Sequence, residues 1–418
     1  MEKAFIVGVN FNDGTDFQMS MKELENLAEA CEMEVIGRAE QNLSIANTAT
    51  YIGPGKVAEV REAAGMLGAD LVIFDNGLSP IQLRNLQRDL EMPVMDRTTL
   101  ILEIFSSRAK TKEAKLQVEV ARLQYMLPRL VGLHEALSRQ GGGSGSMSNK
   151  GAGEKKIELD RRRLEKRLSS MRRELDAISE ERNTQRKKRA QAGIPRVALV
   201  GYTNAGKSTM MNRMLSEWQK DEEKKVFEKD MLFATLDTTV RRIAPPDHNP
   251  FLLSDTVGFI SKLPHHLVKA FRSTLEEVEQ ADLLLQIVDY SDPNYHEYIK
   301  VTNETLRDLG AEKVPMIYVF NKADLTEMEE LPCVRGEDRI YMSAKNGIGL
   351  SELLVMIKNK LAGGFVDCEM LIPYSRGDIV SYFNSNAVVK TTEYQADGVK
   401  LSLNIAKSDF GKYHDYVI

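Results

Sequence analysis

Between residues 197 and 209 the chain reads VALVGYTNAGKST: an apolar, β-branched run, a loop bounded by glycines, then a lysine and a serine at the start of a helical pattern. That context is the one in which GxxxxGK[ST] binds phosphate. The backbone N–H groups of Gly201, Tyr202, Thr203, Asn204, Ala205 and Gly206 can converge on a polyanion, and a helix N-terminus adds partial positive charge. Lys207 would reach the β- and γ-phosphates, and the Ser208 hydroxyl would ligate Mg²⁺.

Three further segments follow in order. Asp255, Thr256, Val257 and Gly258 read DTVG after an apolar strand, placing a carboxylate that can hold a metal through water and a glycine N–H that can meet a γ-phosphate. Asn321, Lys322, Ala323 and Asp324 read NKAD after the strand at 316–320. The Asp324 carboxylate can accept from both the ring N–H and the exocyclic amine of guanine, whereas adenine offers no such donor pair. Two charge-assisted bonds at ~1.5–3 kcal/mol each support at least a roughly hundredfold preference. Asn321 is expected to tie the loops together, and Lys322 to pack its stem along the base. Ser343, Ala344 and Lys345, SAK after a strand at 339–342, would supply a backbone N–H for the guanine carbonyl. The four segments in this order imply GTP and GDP as ligands and exclude an adenine-using enzyme.

The segment Phe233, Ala234, Thr235, Leu236 and Asp237 lies between the phosphate loop and DTVG. Thr235 is the expected second Mg²⁺ ligand in the GTP form, with Thr238 and Thr239 as rivals. Catalysis would then rest on Lys207, Thr235 and Gly258. Phe259 follows Gly258, where many small GTPases carry a glutamine that orients the attacking water. Phenylalanine cannot hydrogen-bond a water, so intrinsic turnover should be slow and raised by a macromolecular partner. Asn204 either helps ligate a monovalent cation such as K⁺ beside the phosphates or closes the loop by hydrogen bonds.

The elements that must position these residues form an α/β multidomain chain. At 418 residues, 42% hydrophobic and 28% charged, the sequence suits a soluble protein of two to four domains. Short strands at 4–9, 34–37, 70–74 and 93–95 alternate with helical stretches at 55–66 and 79–91, which predicts an open α/β domain over 1–107. The GPGK at 53–56 is too short for a nucleotide loop and reads as a turn.

Leu116, Val120, Leu123, Leu127 and Leu130, then Leu164, Leu168, Met171, Leu175 and Ile178, recur at steps of three and four. They predict a long α-helical hairpin over 108–191 with a glycine-rich tip at 140–153. Two separate amphipathic helices joined by a linker are the alternative. A doubly wound, mostly parallel P-loop domain is expected over 192–363, and a small α+β C-terminal domain over 364–418.

Net charge is −5, yet residues 154–190 carry 14 Lys or Arg against 8 Asp or Glu. Arg161, Arg162, Arg163, Lys166, Arg167, Arg172 and Arg173, with Arg186, Lys187, Lys188 and Arg189, suit phosphate neutralisation. The interleaved Glu165, Glu174, Asp176, Glu180 and Glu181 equally suit a solvated face. The three cysteines, Cys31, Cys333 and Cys368, make no CxxC pair and read as buried or idle thiols. No apolar run approaches the length of a membrane span and the N-terminus has no signal-peptide pattern, so a cytoplasmic location is expected.

The sequence resembles the HflX family of GTPases. The likeness is carried by GYTNAGKST, LFATLDTT, DTVGFISKLPHHLVKAFRSTLEE and NKAD, together with YIGPGKVAEV, NGLSPIQLRNL, DRTTLILEIF and GAGEKKIELDRRRLEKRL, over roughly residues 51–345. It implies an N-terminal α/β domain, a helical linker and a GTPase domain, with Ser208 and Thr235 as Mg²⁺ ligands. It also implies a partner, the large ribosomal subunit with its rRNA, and splitting or rescue of stalled ribosomes by a monomer. The family also has a hydrophobic residue at the position of Phe259. One departure is the tip, SGSMSNK, where a shorter and more arginine-bearing stretch is the family pattern. A different class of function, a GTP-controlled regulator docking or dimerising through the hairpin, remains the alternative.

Overall fold

The computed structural model describes all residues except 13, 15, 141–149, 192–193, 219–232, 234–237, 247, 263, 265–266 and 268–271. The expected tip, apart from its ends, and Ala234, Thr235, Leu236 and Asp237 lie outside the described residues. By their contacts the residues form two compact units, Met1–Ile178 with Ser261–Phe271, and Ser179–Ile260 with Arg272–Ile418.

In the first unit, β1 (Glu2–Asn10), α1 (Phe17–Ala30), β2 (Met33–Asn42), α2 (Pro54–Leu67), β3 (Leu71–Phe74), α3 (Pro80–Leu90), β4 (Val94–Asp96) and α4 (Arg97–Arg108) alternate along the chain. The four strands form a parallel sheet in the order β2-β1-β3-β4. Leu71, Val72, Ile73 and Phe74 are all buried, as helix-covered parallel strands require. Ser79 and Gln82 close a reciprocal capping box on α3, and the Asp96 side chain caps α4 by accepting from Thr99 N at 2.9 Å. Because the strands run the same way, Asn10, Asp75 and Asp96 collect at or just past their C-terminal ends.

Two differences from the sequence reading have local causes. The 53–56 segment is a helix start, not a free turn: Gly53 is the N-cap and Pro54 occupies the first turn of α2, where a missing N–H costs nothing. Helices α1 and α4 are absent from the reading; Arg97 and Thr98 are buried in α4, which blurs its apolar stripe.

The hairpin consists of α5 (Lys112–Gln140) and α6 (Lys150–Gln191). Val120, Leu123 and Leu168 form its buried seam, flanked by Leu127, Leu164, Met171 and Leu175. Arg167 pairs with Glu119 at 3.1 Å and Lys112 with Glu174, so residues late in α6 meet residues early in α5 and the helices are antiparallel. The last four residues of the expected tip, 150–153, belong to α6 despite two glycines. Pro128 lies inside α5.

The second unit carries β5 (Arg196–Val200), α7 (Lys207–Trp218), β6 (Thr239–Ile243), β7 (Phe251–Asp255), α8 (Arg272–Glu279), β8 (Leu283–Asp289), α9 (Tyr295–Asp308), β9 (Met316–Asn321), β10 (Cys333–Arg335), β11 (Arg339–Tyr341) and α10 (Leu350–Leu361). The sheet order is β10-β11-β9-β8-β5-β7-β6, parallel except for the two outer strands, β6 and β10. Beyond it, β12 (Phe365–Ile372), α11 (Gly377–Asn386), β13 (Val388–Gln395), β14 (Gly398–Ala406) and α12 (Lys407–Lys412) make an antiparallel β12-β14-β13 sheet with helices packed on it, the expected small α+β domain.

The cysteines are half-buried and free, not fully buried. Burial pushes the Cys31 thiol up to about 11, which keeps it protonated and inert. Among the described residues no helix is long and apolar enough to cross a membrane.

Truncating the hairpin seam should be costly: Leu168→Ala is expected to lower stability by about 2–5 kcal/mol, read by denaturant unfolding followed through helical ellipticity.

Candidate functional site

The phosphate loop sits where the first parallel strand of the second unit hands over to a helix. β5 lies inside its sheet, between β8 and β7, and the loop after it ends at Lys207, the first residue of α7. The loop backbone is drawn tight against its neighbours. Gly206 has φ +96, and a Cβ there would stand 2.3 Å from Asn321 Nδ2, so only glycine fits. Asn204 is exposed with φ +60, a left-handed conformation that asparagine tolerates. Tyr202 stacks on Tyr298 of α9 with ring centroids 4.2 Å apart.

Lys207 is buried, and its Nζ donates to Tyr202 O at 2.7 Å and Gly201 O at 3.1 Å. Desolvation lowers its pKa to about 8, opposed in part by Asp255. The Ser208 hydroxyl donates to Asp255 Oδ2 at 2.8 Å, across from the end of β7. Two hard oxygen donors at the start of a helix and the end of a strand fit a Mg²⁺ site. Among the described residues no group of three His, Cys, Asp or Glu gathers to hold a metal.

Thr256 Oγ1 donates to Leu199 O at 2.6 Å, fixing the DTVG segment beside β5. Val257 and Phe259 are buried. Phe259 N donates to Gly201 O at 3.1 Å, and Phe259 O accepts from Thr203 N at 2.9 Å, so the segment pairs with the phosphate loop as a short parallel bridge. Phe233 is buried with φ +55. Thr239 opens β6 opposite Asp255, and Thr238 precedes it.

Asn321 behaves as the sequence anticipates. Its Nδ2 donates to Ala205 O at 2.9 Å and its Oδ1 accepts from Ala344 N at 2.9 Å, so one buried amide ties the phosphate loop to the SAK loop. Ala323, Ser343 and Ala344 are buried, and Lys345 is exposed. Ser343 N donates to Ile348 O at 3.1 Å. Lys322 differs from expectation in one respect: its ammonium is anchored to Asp289 Oδ2 at 2.7 Å. Asp324 Oδ2 accepts from Asn346 Nδ2 at 2.9 Å.

The fold therefore brings together the phosphate loop, DTVG, NKAD and SAK segments. It adds Asp289, Asn346 and Tyr298, which the sequence reading lacks. Asp289 could have been found as a carboxylate ending a buried parallel strand. Asn346 and Tyr298 carry no signal outside the folded loop.

Four family models match the chain in order: GTP-binding GTPase N-terminal over 18–106, GTP-binding GTPase middle region over 108–189, 50S ribosome-binding GTPase over 196–322, and HflX C-terminal domain over 333–413. A GTPase HflX of Lacrimispora saccharolytica is 40% identical over 415 residues, covering 99% of this chain and 96% of that protein. The GTPase HflX of Escherichia coli K12 is 38% identical over 401 residues, covering 95% and 92%. A GTP-binding protein of Sulfolobus solfataricus solved in complex with GDP is 24% identical, with 87% of this chain and 99% of that one covered and a TM-score of 0.43.

The depressed Lys207 pKa has two consequences of known sign. Between about 8 and the ordinary value of 10.5 the unfolded chain binds the extra proton, so in this window Lys207 makes the ligand-free protein more stable as pH rises. A phosphate-bearing ligand favours the ammonium, so its affinity should be flat below about pH 8 and fall above it, with proton uptake on binding. Calorimetry in buffers of different ionisation enthalpy checks this, and Lys207→Met should abolish the uptake.

Proposed function

Because the chain belongs to the HflX family of GTPases, which bind GTP and hydrolyse it to GDP and phosphate, we propose that it engages the large ribosomal subunit in its GTP form, rescues or splits stalled ribosomes, and leaves on hydrolysis. The observation that carries the nucleotide half of this reading is the Asn321 tie, which sets the base-reading loop at a fixed place relative to the phosphate loop. In this reading Gly201 through Ser208 cradle the phosphates and the Lys207 ammonium exchanges loop carbonyls for phosphate oxygens. Asp324 reads the guanine edge. With the N–H groups of Ser343 and Ala344 engaged, the base carbonyl falls to the N–H of Lys345.

Ser208 and Thr235 would hold Mg²⁺, with Asp255 acting through water. The ion neutralises charge on the β- and γ-phosphate oxygens. Gly258 would present its N–H to the γ-phosphate. Phe259, buried and apolar, offers no group to orient water, which supports slow turnover alone and stimulation by the ribosome. Asn204, exposed in the loop, is where K⁺ would be sensed, and comparing hydrolysis in potassium with sodium tests it.

The ribosome half is supported by the match to a model described as 50S ribosome-binding GTPase and by the basic face of α6. Arg162, Lys166 and Arg173 are exposed and lie on one face of the helix by their spacing. Pairing of the hairpin's apolar seam within the chain supports a monomer over the alternative in which that seam dimerises.

Two outcomes are expected. Asp324→Asn should weaken GTP binding at least about a hundredfold and gain affinity for xanthosine triphosphate, whose C2 carbonyl accepts from the new amide. In cosedimentation with separated ribosomal subunits, the large subunit should retain the protein with a non-hydrolysable GTP analogue more than with GDP. Each of Arg162→Glu, Lys166→Glu and Arg173→Glu should then flatten the log–log salt slope by roughly 0.7–0.9 for every phosphate no longer neutralised. Absence of any large-subunit binding at low salt would remove the ribosomal half of the reading.

A further inference from the structure

Three side chains of the N-terminal α/β domain that take no part in nucleotide binding form a buried ionic cluster. Asp75 is fully buried, and Arg97 and Glu23 are nearly so, at 0%, 2% and 7% exposure. Arg97 Nη1 donates to Asp75 Oδ1 at 2.8 Å, Arg97 Nη2 donates to Glu23, and the Ser20 hydroxyl donates to Asp75 Oδ2 at 2.7 Å. Two carboxylates against one guanidinium leave one uncompensated negative charge in a water-poor place, which is strongly unfavourable.

The missing charge comes from far along the chain. Lys262 Nζ pairs with Asp75 Oδ2, the Ser261 hydroxyl donates to Glu23, and Arg97 Nη2 donates to Ser261 O and Ser261 Oγ at 3.1 Å each. Lys262 is held at φ +54, a backbone conformation that lysine adopts at a cost, so the docked segment is kept there by its contacts. The 261–271 segment accordingly groups with the first compact unit, although the residues on either side of it in sequence group with the second.

Its immediate predecessor is the DTVG segment. Phe259 is hydrogen-bonded to Gly201 and Thr203 of the phosphate loop. A Cβ on Gly258 would lie 2.8 Å from Thr203 Cγ2 and 3.0 Å from Lys207 Nζ. Only Ile260 separates the residue bonded to the phosphate loop from the residue bonded to Glu23. With so short a tether, a displacement of Gly258 toward a γ-phosphate would be passed on to Ser261 and Lys262. The same segment contributes Lys262 and Pro264 to the wall of a cavity of about 670 Å³ that Asp75, Arg97, Tyr125 and Arg129 also line.

We propose that Ser261 and Lys262 are a charge-closing latch through which the nucleotide state reaches the N-terminal domain. Docked, the latch neutralises Asp75 and Glu23 and closes one wall of the cavity. Drawn away, it leaves the cluster with net negative charge and loosens α1 and α4, which carry Glu23 and Arg97. The proposal deepens the control of the nucleotide site and rests on guanine-nucleotide binding, not on the ribosome.

Hydrogen exchange of the full chain, with GDP and with a non-hydrolysable GTP analogue, tests it, with the affinity for each measured by calorimetry on the same samples. In the unaltered protein, residues 17–30 and 97–108 should exchange at different rates in the two states. Lys262→Met should abolish that difference, while GDP affinity stays within about threefold, since this side chain is outside the nucleotide site and a threefold change is under ~1 kcal/mol. Lys262→Arg, which keeps the charge, should restore the difference, and Ser261→Ala should shrink it, so the test does not hang on one variant. Identical exchange in the two states of the unaltered protein, or a difference that survives Lys262→Met, overturns the latch while leaving the nucleotide reading intact. Failure to bind either nucleotide overturns both.

Discussion

The site depends on one buried amide. Asn321 ends β9, the strand that leads into the NKAD loop, and its side chain commits both functional groups to backbone: the nitrogen to Ala205 O and the oxygen to Ala344 N. A carboxamide donates from its nitrogen and accepts at its oxygen within a single rigid plane. Aspartate would repel the Ala205 carbonyl, and leucine would leave two buried backbone groups unsatisfied. The close approach also dictates the loop sequence, since the space a side chain at Gly206 would need is filled by Asn321 itself. Phosphate cradle, base reader and SAK turn thus form one object built around position 321.

A second constraint lies in what the loop holds. The ammonium of Lys207, the N–H of Thr203 and the hydroxyl of Ser208 are occupied by protein acceptors: the Gly201 and Tyr202 carbonyls, Phe259 O and Asp255. In the proposed reading these groups would exchange partners when phosphate and metal arrive, so that their desolvation is already met and only part of the binding energy would go into reorganisation. The partner released by Thr203 and Gly201 is Phe259, and through it the segment that ends in Ser261 and Lys262. Ligand binding at the loop and charge balance in the N-terminal domain are therefore linked by chain connectivity.

How much of this was legible in the sequence follows from the range of each interaction. GYTNAGKST, DTVG and NKAD are contiguous, and their backbone geometry is set by residues a few positions apart, so loop, order and base preference could all be read. The seam of Val120, Leu123 and Leu168 was readable because helical period puts Val120 and Leu123 on one face of α5, and Leu168 on the apolar face of α6 with Leu164, Met171 and Leu175. The edge strands were not: β6, Thr239–Ile243, is mostly half-exposed and carries two arginines, and β10 is a short, partly polar strand, so neither shows the apolar run of a central strand. Asp289, Asn346 and Tyr298 matter only because the fold sets them beside Lys322, Asp324 and Tyr202. Lys262 and Ser261, which pair with Asp75 and Glu23, lie 187 and 238 positions away from them, a pairing that no local pattern encodes.

The central claim, that the phosphate and base ends are read as one object through Asn321, is tested most directly by calorimetric titration of GDP, GMP and ADP against the unaltered protein and Asn321→Ala. If one amide holds both loops, the substitution lowers the GDP-to-GMP affinity ratio and the GDP-to-ADP ratio together. A variant that loses discrimination between the bases while keeping the full benefit of the β-phosphate would contradict the account.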